Sequence, residues 1–518
     1  MLAWVVAETM NYAEHGKPRT ECGVFAMYLD PSLVTNEIVV MGLSAALQNQ
    51  HRGQESAGFV VSWRGGMGNP FKTMGLYTDL YREYKETVRS EGDIHGNIIN
   101  VHNRYSTTGS SNIENAAPFK FDDEKLGYFS LALNGNITNA KLIRDGLESD
   151  GIEFKSTTDT EVVGKLIETS PGEDMVEKIG VAAKLLTGAF NLTITTCDTL
   201  YAVRDRYGFH PLYRGEFKYG GHTNYAISSE TNALGQLYCN TIEEVLPGEI
   251  VKINRDSVEI NSFADPEPAF CGLESAYILR PDGHYLNTQV HRFRVHHGEM
   301  LAEFQPLPED IDLISYVPES AWSVCEGFAK KTSELLGRDI SIVRLALKGR
   351  YGTINGTVRG FIDNNEAERQ HVANSNYFPF DDCIGKRVGL VDDSIFAGNT
   401  LKGFVHTIKN EVGLLKDSGA MSVHVRVAFP MTRFSCPYGV DVDVNKRRLL
   451  ANAHNSDLDA MCKEIGADSL GFLTPEQYTK GIADVAGYNV GMCMACTTGI
   501  YPEPVSGFSK FIMEQDIK

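Results

Sequence analysis

Long apolar runs are missing from this chain. No stretch approaches the roughly 18–20 consecutive apolar residues that a membrane span needs. The N-terminal MLAWVVAETM is apolar for only seven residues and has no basic flank, which argues against a secretory signal. Basic residues are also in deficit: 48 Lys and Arg against 67 Asp and Glu give 48 − 67 = −19. A chain this acidic repels phosphate backbones, so nucleic acid is not expected as a general partner; a local pocket for one small phosphate remains open. Cysteine is sparse, ten in 518 residues, too few for a disulfide scaffold. In a reducing compartment the thiols that matter are more often catalytic or metal-binding, while Cys197, Cys239, Cys325, Cys383 and Cys462 read as small buried hydrophobes. Internal repeats and low-complexity tracts are absent as well. A cytoplasmic protein with no membrane partner is expected.

What is present is ordinary globular material, 42% hydrophobic and 22% charged, in a length that calls for two or more domains. From about 22 to 262 the chain is strand-rich: ECGVFAMYL, NIINVHNRYS, YFSLALNG, AFNLTITTC, TLYAVRDR, NYAISSE and GEIVKIN are β-branched and aromatic runs bounded by Gly, Asn and Asp. Helical patterns interrupt them at about 35–50 and 158–186, which predicts a layered α+β domain. SFADPEPAF (262–270) reads as a hinge. Beyond it, helical segments at about 291–305 and 318–336 alternate with the apolar runs DLISYV, ISIVRLAL, RVGLVDDS and SVHVRVAF, which predicts a parallel α/β sheet.

Cys22 follows 21 residues and opens a strand. As a nucleophile it would need a base, since a free thiol near pKa 8.5 is mostly protonated at neutral pH. Removal of Met1–Glu21 would supply one, the α-amine of Cys22 itself. A buried strand cysteine with a frayed tail is the bland alternative. The motifs NQHRGQESAGF, VHNRYSTTG, LALNGNITN and STTDTEVVGKLI then follow in order. Taking ammonia from glutamine needs a forked cation for the α-carboxylate, a carboxylate for the α-ammonium and donors for an oxyanion. Arg104, Asp159 and the pair Asn134–Gly135 offer one of each. Each also has a dull reading: NGN as a turn, Asp159 as a helix cap.

This half resembles the N-terminal-nucleophile (class II) glutamine amidotransferases, in which a self-processed cysteine is followed by HRG, RYST, NG(N) and TDTE motifs. The resemblance implies Cys22 as nucleophile and, through its amine, base; Arg104 and Asp159 as the grip on glutamine; Asn134 and the Gly135 N–H as oxyanion hole. With it goes the expectation of a Cys22 sulfur that is exposed, with room for an amino acid beside it.

In the second half, KRVGLVDDSIFAGNTLKGFV (386–405) is a strand, two acids, a small-residue loop and a helix start. Loop and helix N–H groups at Ser394–Thr400 suit a phosphate, and Asp392 and Asp393 suit ribose hydroxyls. An ordinary βα turn is the competing reading. The stretch is similar to the phosphoribosyl-pyrophosphate (PRPP) loop of phosphoribosyltransferases, and YVPES (316–320) to their pyrophosphate-side loop. Together the halves resemble the amidophosphoribosyltransferase family, with LRPDG, KGRY, SCPYGVD, IGADSLGFL and CMACTTGIYP as further landmarks.

The resemblance implies an αββα N-terminal-nucleophile hydrolase sandwich followed by a type I phosphoribosyltransferase α/β domain. The division is 1–21 propeptide, 22–262 glutamine amidotransferase domain, 263–290 connector, 291–475 phosphoribosyltransferase domain and 476–518 C-terminal segment. It implies Asp392, Asp393, Ser394, Gly398, Thr400 and Lys348 on PRPP, and Ser320, Asp392 and Asp393 around Mg²⁺. Cys493-x-x-Cys496 alone is ambiguous between metal site, redox pair and coincidence. Cys271 and Cys436 fall where the iron–sulfur, propeptide-bearing branch carries its other ligands, which implies a structural [4Fe–4S] cluster on all four. Purine nucleotides as inhibitors and a homotetramer or dimer are implied too.

The PRPP motifs depart from the family. The loop usually reads DDSIVRGTT; Ala397 stands for its arginine and Asn399 for a threonine. Ser375 stands where an upstream lysine is usual. The catalytic loop is longer, KGRYGTINGTVRGFI, with Arg359 and Gly360 where Arg–Thr is usual. Lys348, Arg350, Arg359 and Lys402 are candidates to restore the lost charge. The expected activity is ammonia transfer from glutamine to PRPP. The alternatives are a paralogue serving another phosphoribosyl- or nucleotide-like acceptor, and a silent PRPP- or nucleotide-binding regulator.

Overall fold

The computed structural model describes residues 22–105, 111–318, 320–348, 377–410, 419–442, 444 and 448–504, and of 347, 348 and 377–379 the backbone only. The expected propeptide and the positions Arg350, Arg359 and Ser375 lie outside these residues. No helix among the described residues is long and apolar enough to cross a membrane.

Strand Gly23–Tyr28 is buried at every position, not at alternate ones, because both faces of its sheet are covered. Phe25 and Met27 join the cluster under helices Glu37–Ala46 and Tyr77–Glu91. Val24, Ala26 and Tyr28 join the opposite one, with Ala132, Ala202 and Val251 of a second sheet. The first sheet has eight strands in the order Thr241–Glu244, Tyr213–Tyr219, His222–Ser228, Gly23–Tyr28, Ile98–Arg104, Ser56–Trp63, Gly66–Met67, with Phe71–Met74 also on Ser56–Trp63. The second has six: Val258–Ser262, Glu249–Ile253, Leu200–Arg204, Gly188–Thr195, Gly127–Ile137, Phe119–Asp123. Val162, Val163 and Ile179 of helices Asp159–Thr169 and Met175–Leu185 cover its outer face. The layers run helix, sheet, sheet, helix, as expected.

The single helical pattern at 158–186 is two helices. Pro171 stands between them, and the Asp174 carboxylate caps the second by accepting from Glu177 N. Helix Tyr77–Glu91 escapes the sequence pattern because only Tyr77, Leu80 and Tyr84 are buried, too thin a stripe to read.

In the second half the strands Leu313–Tyr316, Arg387–Asp392, Ser422–Val427 and Ser469–Phe472 form a parallel sheet in that order. Helices Val290–Phe304 and Trp322–Leu336 stand where expected. ISIVRLAL differs: it meets the sheet edge at one bridge, Ile314 to Ile342, then leaves as Ala346–Lys348 to pair antiparallel with Tyr377–Pro379. The 263–269 stretch is laced to the first half, Glu267 N and Ala269 N donating to the carbonyls of Arg206 and Tyr207. It leads into Phe270–Cys271, which pairs in parallel with Met492–Cys493 and sets Cys271 beside Cys493.

Candidate active site

Register brings the glutaminase motifs together. Gly23 faces Asn103 on the neighbouring antiparallel strand, so Cys22 lies beside Arg104. Ser229 Oγ accepts from Val24 N (3.1 Å) and from Asn134 Nδ2 (3.4 Å), which joins the cysteine strand to the second sheet. Asn134–Gly135 lies inside strand Gly127–Ile137, not in a turn. Gly135 has φ +139°, and a Cβ there would stand 2.1 Å from the Ala189 carbonyl oxygen, so only glycine fits. Three residues from Asn134, Ile137 N donates to Asp159 Oδ2 (3.1 Å). Asp159 opens its helix but does not cap it; Thr158 does, accepting from Glu161 N.

The expectation of an exposed Cys22 sulfur is corrected: the residue is 5% exposed. Both faces of its sheet are packed, and its thiol donates to the Tyr105 carbonyl (3.4 Å). Burial pushes the thiol up to about 12; the Arg104 guanidinium opposes that rise, and the Asp159 and Glu55 carboxylates add to it. Burial likewise lifts the Asp159 carboxyl to about 6, against the Ile137 N–H and Arg104. Cys22, Arg104, Asp159 and Glu55 thus form one electrostatic unit. Arg104 Nη1 donates to Glu55 Oε1 at 2.6 Å, both side chains largely buried. Glu55 lies within the quoted NQHRGQESAGF motif, yet nothing in the residue alone assigned it.

Sequence reasoning also missed a buried junction behind Cys22. Arg52 donates to the Cys22 carbonyl through Nε (3.4 Å), to Glu230 through Nη1 (2.8 Å) and to Glu274 through Nη2 (2.7 Å). His51 Nε2 meets Glu230 at 2.7 Å. His210 Nδ1 meets Glu274 at 3.1 Å, and its Nε2 meets the Tyr438 carbonyl at 2.6 Å. Burial alone would push the Glu274 carboxyl up, but Arg52 and His210 hold it well below the usual carboxylate range. The segment 435–442 of the second half also touches the first elsewhere: Tyr105 OH donates to Asp441 (2.6 Å), Asn136 Nδ2 donates to the Pro437 carbonyl (2.9 Å), and Tyr438 stacks on Phe209.

Cys271, Cys436, Cys493 and Cys496 line a single cavity with Phe209, His210 and Tyr438. Burial raises the Cys493 thiol to about 11 and Cys496 well above its ordinary value, with Cys436 and Cys493 as electrostatic neighbours of Cys496. Among the described residues no set of His, Cys, Asp or Glu is arranged for a single metal ion. One tetrahedral ion would need its thiolates about 3.8 Å apart; a cubane cluster holds four thiolates at its corners, farther apart.

At the phosphoribosyl end, Asp392 closes its strand and is followed by Asp393 and Ser394, each 1% exposed. Asp393 N donates to Asp392 Oδ1 (2.9 Å) and Ser394 Oγ to Asp393 Oδ1 (2.7 Å). Gly398 has φ +82° beside Leu450 and leads into helix Asn399–Asn410, whose first turn carries Thr400. Ser320 follows the adjacent parallel strand, at the same end of the sheet. Lys348 lies off this sheet, in the pair with Tyr377–Pro379.

A family model for a glutamine amidotransferase domain matches residues 102–236. The amidophosphoribosyltransferase of Synechococcus elongatus is 34% identical over 491 residues, 94% of this chain and 92% of that protein. That of Methanocaldococcus jannaschii is 32% identical over 510 residues, 95% of this chain and 99% of that one. The structure of glutamine PRPP amidotransferase from B. subtilis, complexed with ADP and GMP, matches with a TM-score of 0.80 at 30% identity, covering 94% of this chain and 98% of that one. Likeness on that scale runs through both halves and the junction between them, and the chain belongs to the amidophosphoribosyltransferase family.

Proposed function

We propose that the protein converts glutamine, water and PRPP into 5-phosphoribosylamine, glutamate and pyrophosphate, the first step of purine synthesis. The observation that carries this is the meeting of Cys22, Arg104, Asp159 and Asn134–Gly135 in a chain whose parallel sheet ends in Asp392–Asp393. Arg104 grips the α-carboxylate of glutamine and Asp159 its α-ammonium. With 1–21 removed, the Cys22 amine takes the thiol proton as sulfur attacks the amide carbon. The Gly135 N–H and the second N–H of the Asn134 carboxamide stabilise the oxyanion. That proton then goes to the departing nitrogen, and water resolves the thioester to glutamate. Ammonia passes inside the protein, since bulk water would make it ammonium, which is no nucleophile. Its nitrogen bonds to C1 of PRPP as the C1–O bond to pyrophosphate breaks.

Asp392 and Asp393 accept the ribose hydroxyls, the Ser394–Thr400 turn cradles the 5-phosphate with Gly398 at its bend, and Lys348 adds a cation. Ser320, Asp392 and Asp393 offer the hard oxygen donors that Mg²⁺ prefers. Bound Mg²⁺ would neutralise the leaving pyrophosphate. Cys271, Cys436, Cys493 and Cys496 would hold a [4Fe–4S] cluster whose part is structural, tying the C-terminal segment to the junction. The shared cavity and the pairing of Cys271 with Cys493 support that fit. The same reading takes 22–262, 263–290, 291–475 and 476–518 as the functional units. It makes the protein a cytoplasmic homotetramer or dimer restrained by purine nucleotides; the ADP and GMP on the B. subtilis relative support the last point.

The test is phosphoribosylamine formation from PRPP and glutamine, with glutamine hydrolysis followed alongside. PRPP should stimulate hydrolysis, and Cys22→Ala should abolish glutamine-dependent synthesis while ammonia still serves. Hydrolysis indifferent to PRPP would move the acceptor elsewhere. Glutamine-driven turnover in Cys22→Ala would remove the nucleophile.

A further inference from the structure

The charged junction behind Cys22 has no part in the reaction derived above, yet its members come from three regions. Arg52, Glu230 and His210 belong to the first half, Glu274 to the 263–290 stretch, and the Tyr438 carbonyl to the second half, two residues from Cys436. The Arg52, Glu230, Glu274 and His210 side chains are each at most 1% exposed, so none is held in place by solvent. A carboxylate and a carbonyl face the two ring nitrogens of His210, and Arg52 donates to both Glu230 and Glu274, so Glu274 is shared between Arg52 and His210. Guanidinium donors have fixed mutual directions. Where Glu274 holds Nη2 therefore decides where Nε points, and Nε points at the Cys22 carbonyl.

We propose that Glu274, from outside the glutaminase half, and His210, from within it, are positioning residues for the glutaminase step: through Arg52 they fix the carbonyl of Cys22, and with it the line of attack of its sulfur. A displacement of the nucleophile by about 1 Å is enough to slow chemistry about a hundredfold without weakening the grip on substrate. Arg104 and Asp159, which do the gripping, stand on strand Ile98–Arg104 and helix Asp159–Thr169, neither of which carries a member of this junction. The inference rests on Cys22 being the nucleophile of the proposed function.

The test uses the full chain with Glu274→Gln and His210→Gln, singly and together. Glutamine-dependent kcat should fall about ten- to a hundredfold. KM for glutamine should stay within about twofold, the pattern of an interaction used in the transition state alone. Ammonia-dependent synthesis should be unchanged, and alkylation of Cys22 by the glutamine analogue 6-diazo-5-oxo-L-norleucine should slow in step with kcat. The double variant should be no slower than the slower single one, because both act through Arg52. If Glu274→Gln fails to fold, Glu274→Asp keeps the charge, retracts it by one methylene and carries the same expectation. Equal losses with ammonia and glutamine, unchanged alkylation, or additive effects would each overturn the proposal. Failure of the underlying reading is distinct: it appears as glutamine-dependent turnover in Cys22→Ala.

Discussion

Replacing Asp159 by asparagine should make the protein more stable and a worse glutaminase. Its carboxyl is 4% exposed, and burial lifts it from 3.8 to about 6. A rise of about two units amounts to about 3 kcal/mol at 1.36 kcal/mol per unit. That penalty falls on the native state once pH exceeds the folded value near 6, and it fades as pH drops toward the unfolded value of 3.8. Asparagine keeps the acceptor for the Ile137 N–H and removes the charge. At pH 7 the unfolding transition of substrate-free Asp159→Asn should move up by several degrees, at most about 10 °C, and at pH 4 the two proteins should melt together. KM for glutamine should rise steeply in the variant, because the ammonium loses its partner. In the wild type, KM should rise about tenfold for each pH unit below 6 as the carboxylate protonates. Thermal unfolding across this pH range, set beside KM for glutamine, checks both. A variant that melts lower at pH 7, or that keeps its KM, would refute the assignment of Asp159 as a buried, substrate-facing carboxylate.

Two further outcomes follow from the same geometry. Gly135→Ala should lose about a hundredfold or more in glutamine-dependent kcat and melt lower, because its Cβ collides with the Ala189 carbonyl oxygen and φ +139° disfavours any side chain; activity within about tenfold of wild type would contradict the oxyanion role. Anaerobically purified protein should be brown with about four irons per chain, and Cys493→Ser should lose them; a colourless, fully active preparation would remove the cluster.

Short-range signals revealed the elements and the ends of the site; the partners behind it are long-range. RYST, NGN and TDTE each carry a residue whose chemistry points to a task, and the antiparallel register of Gly23 with Asn103 puts Cys22 beside Arg104. The four cysteines were separable from the other six only by likeness to a family; in the fold, Cys271 is the strand partner of Cys493. Glu274 and His210 were illegible because a lone glutamate in CGLES and a lone histidine in YGFHP acquire meaning only when the chain returns more than 150 residues later to bury Glu274 against Arg52 and His210 against Glu274. The burial of Cys22 was missed for the same reason: an open strand end is local, its cover is not. ISIVRLAL misled because β-branched composition reports willingness to extend, not which neighbour is available.

The segment 435–442 rests on Tyr105 and Asn136, each next to a group assigned to the glutaminase chemistry, and on His210. The molecule therefore has no clean seam near residue 262. Cutting there would leave the Arg52 fork facing water where Glu274 stands and take Asp441 from the Tyr105 hydroxyl. Anyone wishing to transplant this ammonia source onto a different synthase would have to carry along a strip of the original host.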